Sequence, residues 1–207
     1  GYVGTIYASI LEMVNTSSSG DFQINGDAIF DVGGFAGMIT AGDVAISNSQ
    51  ATSNMTIAGA GNLTGGYAGQ IVGPMQIYAC SVEADLIMSQ GEWYIGGVVG
   101  LISGSGELRS VDFTGEIHAP GGVTVGGLFG RADAFEIDKA FAVVDLEASA
   151  SVGGLIGITR EATISNTYVQ GSVSGEASVG GLIGHTDFAS VEDSYSAAVV
   201  TGNSAVG

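Results

Sequence analysis

The sequence predicts an all-β fold, a three-sided parallel β-helix of about seven turns, each 27 to 32 residues long. Three observations predict it. A Gly-pair motif returns at that interval along the whole chain, as in "VGGFAG", "TGGYAG", "IGGVVG", "VGGLFG" and two copies of "VGGLIG". Apolar residues after each motif fall into fixed columns. The segments between are short, rich in β-branched and aromatic residues, and closed by Gly, Ser, Asn or Asp, which are strand and turn signals. A helical repeat of this length would show apolar residues at three- and four-residue spacing and few glycines, whereas 36 residues here are Gly.

The first strand of each turn is the motif itself. The residue before each Gly pair gives the column Val32, Thr64, Ile95, Val125, Val152 and Val179, with Val3 and Val206 as partial copies. On strict alternation Val152 and Ile156 point one way and Leu155 the other, so both faces carry large apolar groups. Two geometries satisfy this pattern. A bulge at the Gly pair turns Leu155 inward, or Phe35, Tyr67, Val98, Leu128, Leu155 and Leu182 form an outward apolar strip. The bulge is preferred, because exposed apolar strips of that length are uncommon on monomers.

The second strand carries the column Ile46, Ile77, Leu108, Ile137, Ile164 and Val191. The third carries Met55, Leu86, Ile117, Leu146, Val173 and Val200, nine residues after the second column in each of these copies. The other two intervals vary, so insertions fall at two corners and spare one. The rung before Val32, "LEMVNTSSSGDFQING", lacks a clean second column. At the spared corner Asn48, Ser110, Asn166 and Asp193 stack, residue types that tolerate left-handed conformations and bond turn backbone. Phe113, Phe141, Tyr168 and Tyr195 form a nearby aromatic column, read as stacked rings covering an edge. Cys80 stands where sister repeats have Ser49, Val111, Ala140, Thr167 and Ser194, and reads as a small packed side chain.

Composition narrows the function. The formal charge is -17, from 21 acidic residues against Arg109, Arg131, Lys139 and Arg160. Such a balance repels phosphate backbones, so neither nucleic acid nor an anionic membrane surface is an expected partner. Only 12% of residues are charged and 45% are hydrophobic, which is unlike a disordered acidic tail. One cysteine permits no internal disulfide and no Cys-rich zinc site. Gly, Ser and Asp interrupt every apolar stretch, so membrane insertion is not expected. The opening "GYVGTIYA" and the closing "SAVG" both look like repeats cut short, and the expectation is a single continuous β-solenoid over residues 1–207 that forms a segment of a larger protein.

With the pattern laid out, the chain resembles the GLUG-motif repeats, whose Gly-Leu-hydrophobic-Gly core matches Gly127 to Gly130, Gly154 to Gly157 and Gly181 to Gly184. "GFAG", "GYAG" and "GVVG" are looser copies. The resemblance covers nearly the whole chain. It implies an extracellular rod of a large bacterial or archaeal surface adhesin or secreted protein, acting as a spacer or a binding surface. The motif carries no catalytic residue.

The residues themselves add no catalytic, cofactor or metal site. His118 and His185 occupy different columns and neither lies in an HExxH-like spacing. No GxSxG elbow comes with a matching His and Asp. The four basic residues are scattered among the columns, unlike the Lys or Arg base that parallel β-helix lyases set beside calcium-binding carboxylates. Asp21, Asn25, Asp27 and Asp31 lie close in sequence and are loosely calcium-like, but they match no EF-hand loop and read as solvated turn residues. Asn15, Asn54 and Asn62 begin Asn-x-Ser/Thr sequons. Threonines are too irregular for an ice-binding array. The expected function is a non-enzymatic, cell-surface or secreted rod whose partner is a protein or glycan on another surface. The alternative is a self-assembling extracellular filament or layer in which the partner is another copy.

Overall fold

The computed structural model describes residues 3–26, 29–59, 61–89 and 93–207, with the side chains of residues 29, 30, 61 and 62 left aside. The chain is a parallel β-solenoid of about 6 turns with about 31 residues per turn, all β and without a helix among the described residues. At about 4.8 Å per stacked strand, six turns span roughly 29 Å.

The columns are real ladders. Val32 pairs with Thr64, Ile95 with Val125, Val152 with Val179 and Val179 with Val206. Ile46 pairs with Ile77, Leu108 with Ile137 and Ile164 with Val191, while Met55 pairs with Leu86 and Leu146 with Val173. Their members are buried through the middle turns and form one continuous apolar core. At about 25 cal/mol per Å² removed from water, this stacked aliphatic surface is the main stabilising term.

One turn shows how the sequence is used. Ser151–Gly153 is a three-residue strand, the chain bends at Gly154 and Leu155, and Ile156–Ser165 follows as the next strand. Asn166 then turns the chain into Tyr168–Ser174, and a short loop leads to Ala177–Gly180, where the next turn begins. The six Gly-pair strands and Ser204–Val206 form their own sheet, and the other 19 strands connect into a second sheet that wraps the remaining sides.

The Gly pair therefore folds the expected first strand in two. A Cβ on Gly153 would sit 2.0 Å from the Ile156 carbonyl oxygen, and one on Gly157 would sit 2.8 Å from the Val125 backbone nitrogen one turn earlier. The two half-strands press backbone against backbone, and only glycine allows that approach. This bend settles the direction of the motif's large residue. Tyr67, Val98, Leu128 and Leu155 are buried, and Phe35 and Leu182 pack partly buried against the core. No outward Leu strip exists at these positions.

The corner column is also as expected. Asn48, Ser110, Asn166 and Asp193 all have φ between 47 and 54°, in the left-handed region. Asn15, Ala79 and Lys139 share it, at 55, 51 and 54°. The bonds that close this corner come from the following residue: the Ser49 and Ser194 hydroxyls donate to the carbonyls of Ser47 and Glu192 at 2.9 and 2.7 Å. Cys80 substitutes for them, its thiol 3.2 Å from the Tyr78 carbonyl, and its burial pushes the thiol pKa up.

Three expectations need correction. Val3 pairs with Ala36 and not with Val32, so it belongs to the column that follows the bend. The first rung does have its second column, since Met13 pairs with Ile46 and Phe22 with Met55, again nine residues apart. Phe113 is not in the aromatic column. It pairs with Ala142 and is fully buried, whereas Phe141 pairs with Asp112. Phe113 fills the space above Gly97, where a Cβ would lie 2.6 Å from its ring.

Candidate functional site

Polar chemistry gathers on the outer face of the third side, the face opposite the Met55–Leu86–Ile117 ladder. Alternation in a strand turns the residues before Met55, Leu86, Ile117 and Leu146 outward. Those residues are Asn54, Asp85, Glu116 and Asp145, with Asp21 one rung earlier and Ser172 one rung later. The neighbouring outward column places Thr52, Glu83 and Thr114 beside them. Asn54, Asp85, Glu116 and Asp145 with Thr52, Glu83 and Thr114 line a shallow trough of about 440 Å³, and no cationic side chain lines it.

Donors are placed between these acids. The Asn54 amide donates to Asp21 at 3.0 Å, the Glu116 backbone N–H to Asp85 at 3.0 Å, and the Ser172 hydroxyl to Asp145 at 2.8 Å. In-register carboxylates directly opposite one another repel, and interposed donors offset part of that cost. Chemically the face is a row of acceptors about 4.8 Å apart, suited to cationic or hydroxyl-rich groups.

The arginine and lysine side chains lie elsewhere. Arg131 donates two bonds to Asp133, at 3.2 and 2.8 Å, and one to the Tyr94 hydroxyl at 3.3 Å, over whose ring it also stacks. The bond to Asp133 raises the Arg131 pKa. Arg160 approaches the same Asp133 carboxylate at 3.8 Å, and Arg109 lies between Glu107 and Glu136 at 3.4 and 3.6 Å. Lys139 occupies the left-handed corner. His118 meets Glu147 at 2.9 Å and His185 lies 3.9 Å from Asp187, each half-exposed on its own side of the coil. The structure keeps the two histidines apart.

The loosely calcium-like residues do not assemble as their sequence proximity suggested. Asp21 lies on Ser17–Asn25 and bonds Asn54, while Asp31 lies on Ile29–Gly33 in the other sheet, where burial raises its pKa. Asp27 lies outside the described residues. Among the described residues no three His, Cys, Asp or Glu side chains come together as metal ligands. Of the sequons, Asn15 and Asn54 are exposed, and the side chain of Asn62 lies outside the description.

Sequence reasoning missed the acidic column because its members differ: Asp, Asn, Glu and Ser share a column without sharing a letter. The signal was available in the position before each third-column residue. Compared with known proteins, the chain matches no family model and no curated sequence.

Proposed function

We propose that this chain is a non-catalytic segment of an extracellular surface or secreted adhesin, a stiff β-solenoid rod that spaces other modules and offers its acidic side for recognition. The observation that carries this reading is the unbroken in-register ladder, which joins the turns through parallel hydrogen bonding and stacked core side chains. Such a body resists bending while each turn contacts only its neighbours. The GLUG-like motif and the acid-rich, cation-poor composition support the same reading, and the acceptor row on the third side fits a hydroxyl-rich glycan or a basic protein surface as partner.

The test is cellular. Antibodies raised against the folded chain are expected to label intact source cells or their medium, and deleting the region from the gene is expected to reduce attachment with secretion preserved. Labelling confined to lysed cells would overturn the proposal.

A further inference from the structure

Tyr168 and Tyr195 pair in register on adjacent rungs, with ring centroids 5.8 Å apart and planes 14° from parallel. Parallel in-register strands carry the two rings in one outer column of adjacent rungs, face against face. Phe141 stacks on Tyr168 from below at 5.2 Å and closes its other face. Tyr195 stands on the two-residue strand Tyr195–Ser196. Among the described residues no other two tyrosine rings stack; Tyr67 stacks on Phe35, and Tyr94 is engaged by Arg131.

We propose that this pair is a site of oxidative cross-linking, at which a peroxidase using hydrogen peroxide joins the two phenols as dityrosine. Each phenol gives up one electron and its hydroxyl proton to become a phenoxyl radical. The radicals combine at their ortho carbons, forming one carbon–carbon bond, and each ring then moves its ortho hydrogen to oxygen and regains aromaticity. Two hydrogen atoms leave the protein and one peroxide becomes two waters. The product staples one turn to the next on the outside of the coil.

The sequence makes the test direct. Arg160 is the last Lys or Arg of the sequence, so trypsin acting on the denatured chain releases Glu161–Gly207 as one fragment, with Tyr168 and Tyr195 as its sole tyrosines and no Trp, Met or Cys. After treatment of the dilute folded protein with peroxidase and hydrogen peroxide, the monomer is expected to yield this fragment lighter by two hydrogen atoms and with dityrosine emission. Tyr195→Phe, which keeps a ring in the stack, is expected to lose both signals, Tyr94→Phe to retain them, and the urea-unfolded chain to lose most of the yield. An unchanged fragment mass, cross-links found only between molecules, or an equal yield from the unfolded chain would overturn the proposal.

Discussion

Gly153→Ala places one methyl group where two half-strands touch. Its Cβ would stand 2.0 Å from the Ile156 carbonyl oxygen and 2.6 Å from the Gly184 amide nitrogen, where ordinary contact begins at 3.4 Å. Both atoms are backbone, so no side chain can rotate away, and relief requires the strands to part by about 1.4 Å, the shortfall at Ile156. Parting them strains the bonds from Gly154 N–H to the Gly180 carbonyl, 3.1 Å, and from Leu155 N–H to the Leu182 carbonyl, 2.8 Å. Two such bonds contribute about 1 kcal/mol each, and overpacking adds about 1–3 kcal/mol, for an expected loss of about 3–5 kcal/mol. Urea denaturation followed by far-ultraviolet circular dichroism measures it, with Gly4→Ala as control, since nothing lies within 4 Å of a Cβ there. A Gly153→Ala midpoint within about 1 kcal/mol of the control would refute the backbone-contact account of the Gly pair.

Three further substitutions examine other parts of the coil. Leu155→Ala should cost about 2–5 kcal/mol because Leu155 is fully buried; a loss under about 0.5 kcal/mol in the same denaturation assay would mean that it faces solvent. Ala79→Gly should raise the midpoint, by up to about 1 kcal/mol, because Ala79 has φ 51° where glycine carries no Cβ penalty, and a lowered midpoint would contradict this. Asp112 lies between Ser81 and Phe141 in its column, and burial raises its pKa. The folded state therefore binds its proton more tightly than the unfolded state, and the resulting stability is present below pH about 4 and lost as pH rises through the raised value. Asp112→Asn should stabilise the protein at neutral pH and lose that advantage in acid, as thermal melts across pH will show; an advantage that grows in acid would be the wrong sign.

The three columns were legible in the sequence because stacking repeats the same physical demand at each rung, and Val, Ile and Leu answer it in nearly the same letters. The corner was legible for the same reason, since few residues accept φ near 50°. Phe113 was misplaced because it follows Leu108 by five residues, while Phe141, Tyr168 and Tyr195 follow their second-column partners by four. A one-residue slip moves a side chain to the opposite face, and a large ring inside is tolerated only because Gly97 vacates the space above it. Val3 misled through a shared Val-Gly letter pair, which occurs in "GYVG" on the far side of the bend. The bend itself was foreseen only as a bulge, because the spacing of the Gly pair marks where the backbone is crowded, whereas contacts such as Gly157 against Val125, which fix the fold of the motif, join different turns. The acidic column was hidden by its mixed chemistry, each member bonding its neighbour in its own way.

The lengths of successive turns have a consequence for how such a coil can grow. Val3 pairs 33 residues ahead at Ala36, Ala36 pairs 32 ahead at Ala68, and Ile156 pairs 27 ahead at Ile183. Circumference thus narrows along the chain, and rungs of different gauge are not interchangeable parts. A copied segment fits without misalignment only beside a rung of its own circumference. That condition is met where the pairing interval holds at 27, between Phe129 and Ile156 and again between Ile156 and Ile183. The two identical "SVGGLIG" segments lie in that uniform stretch, the place where lengthening by duplication disturbs the least.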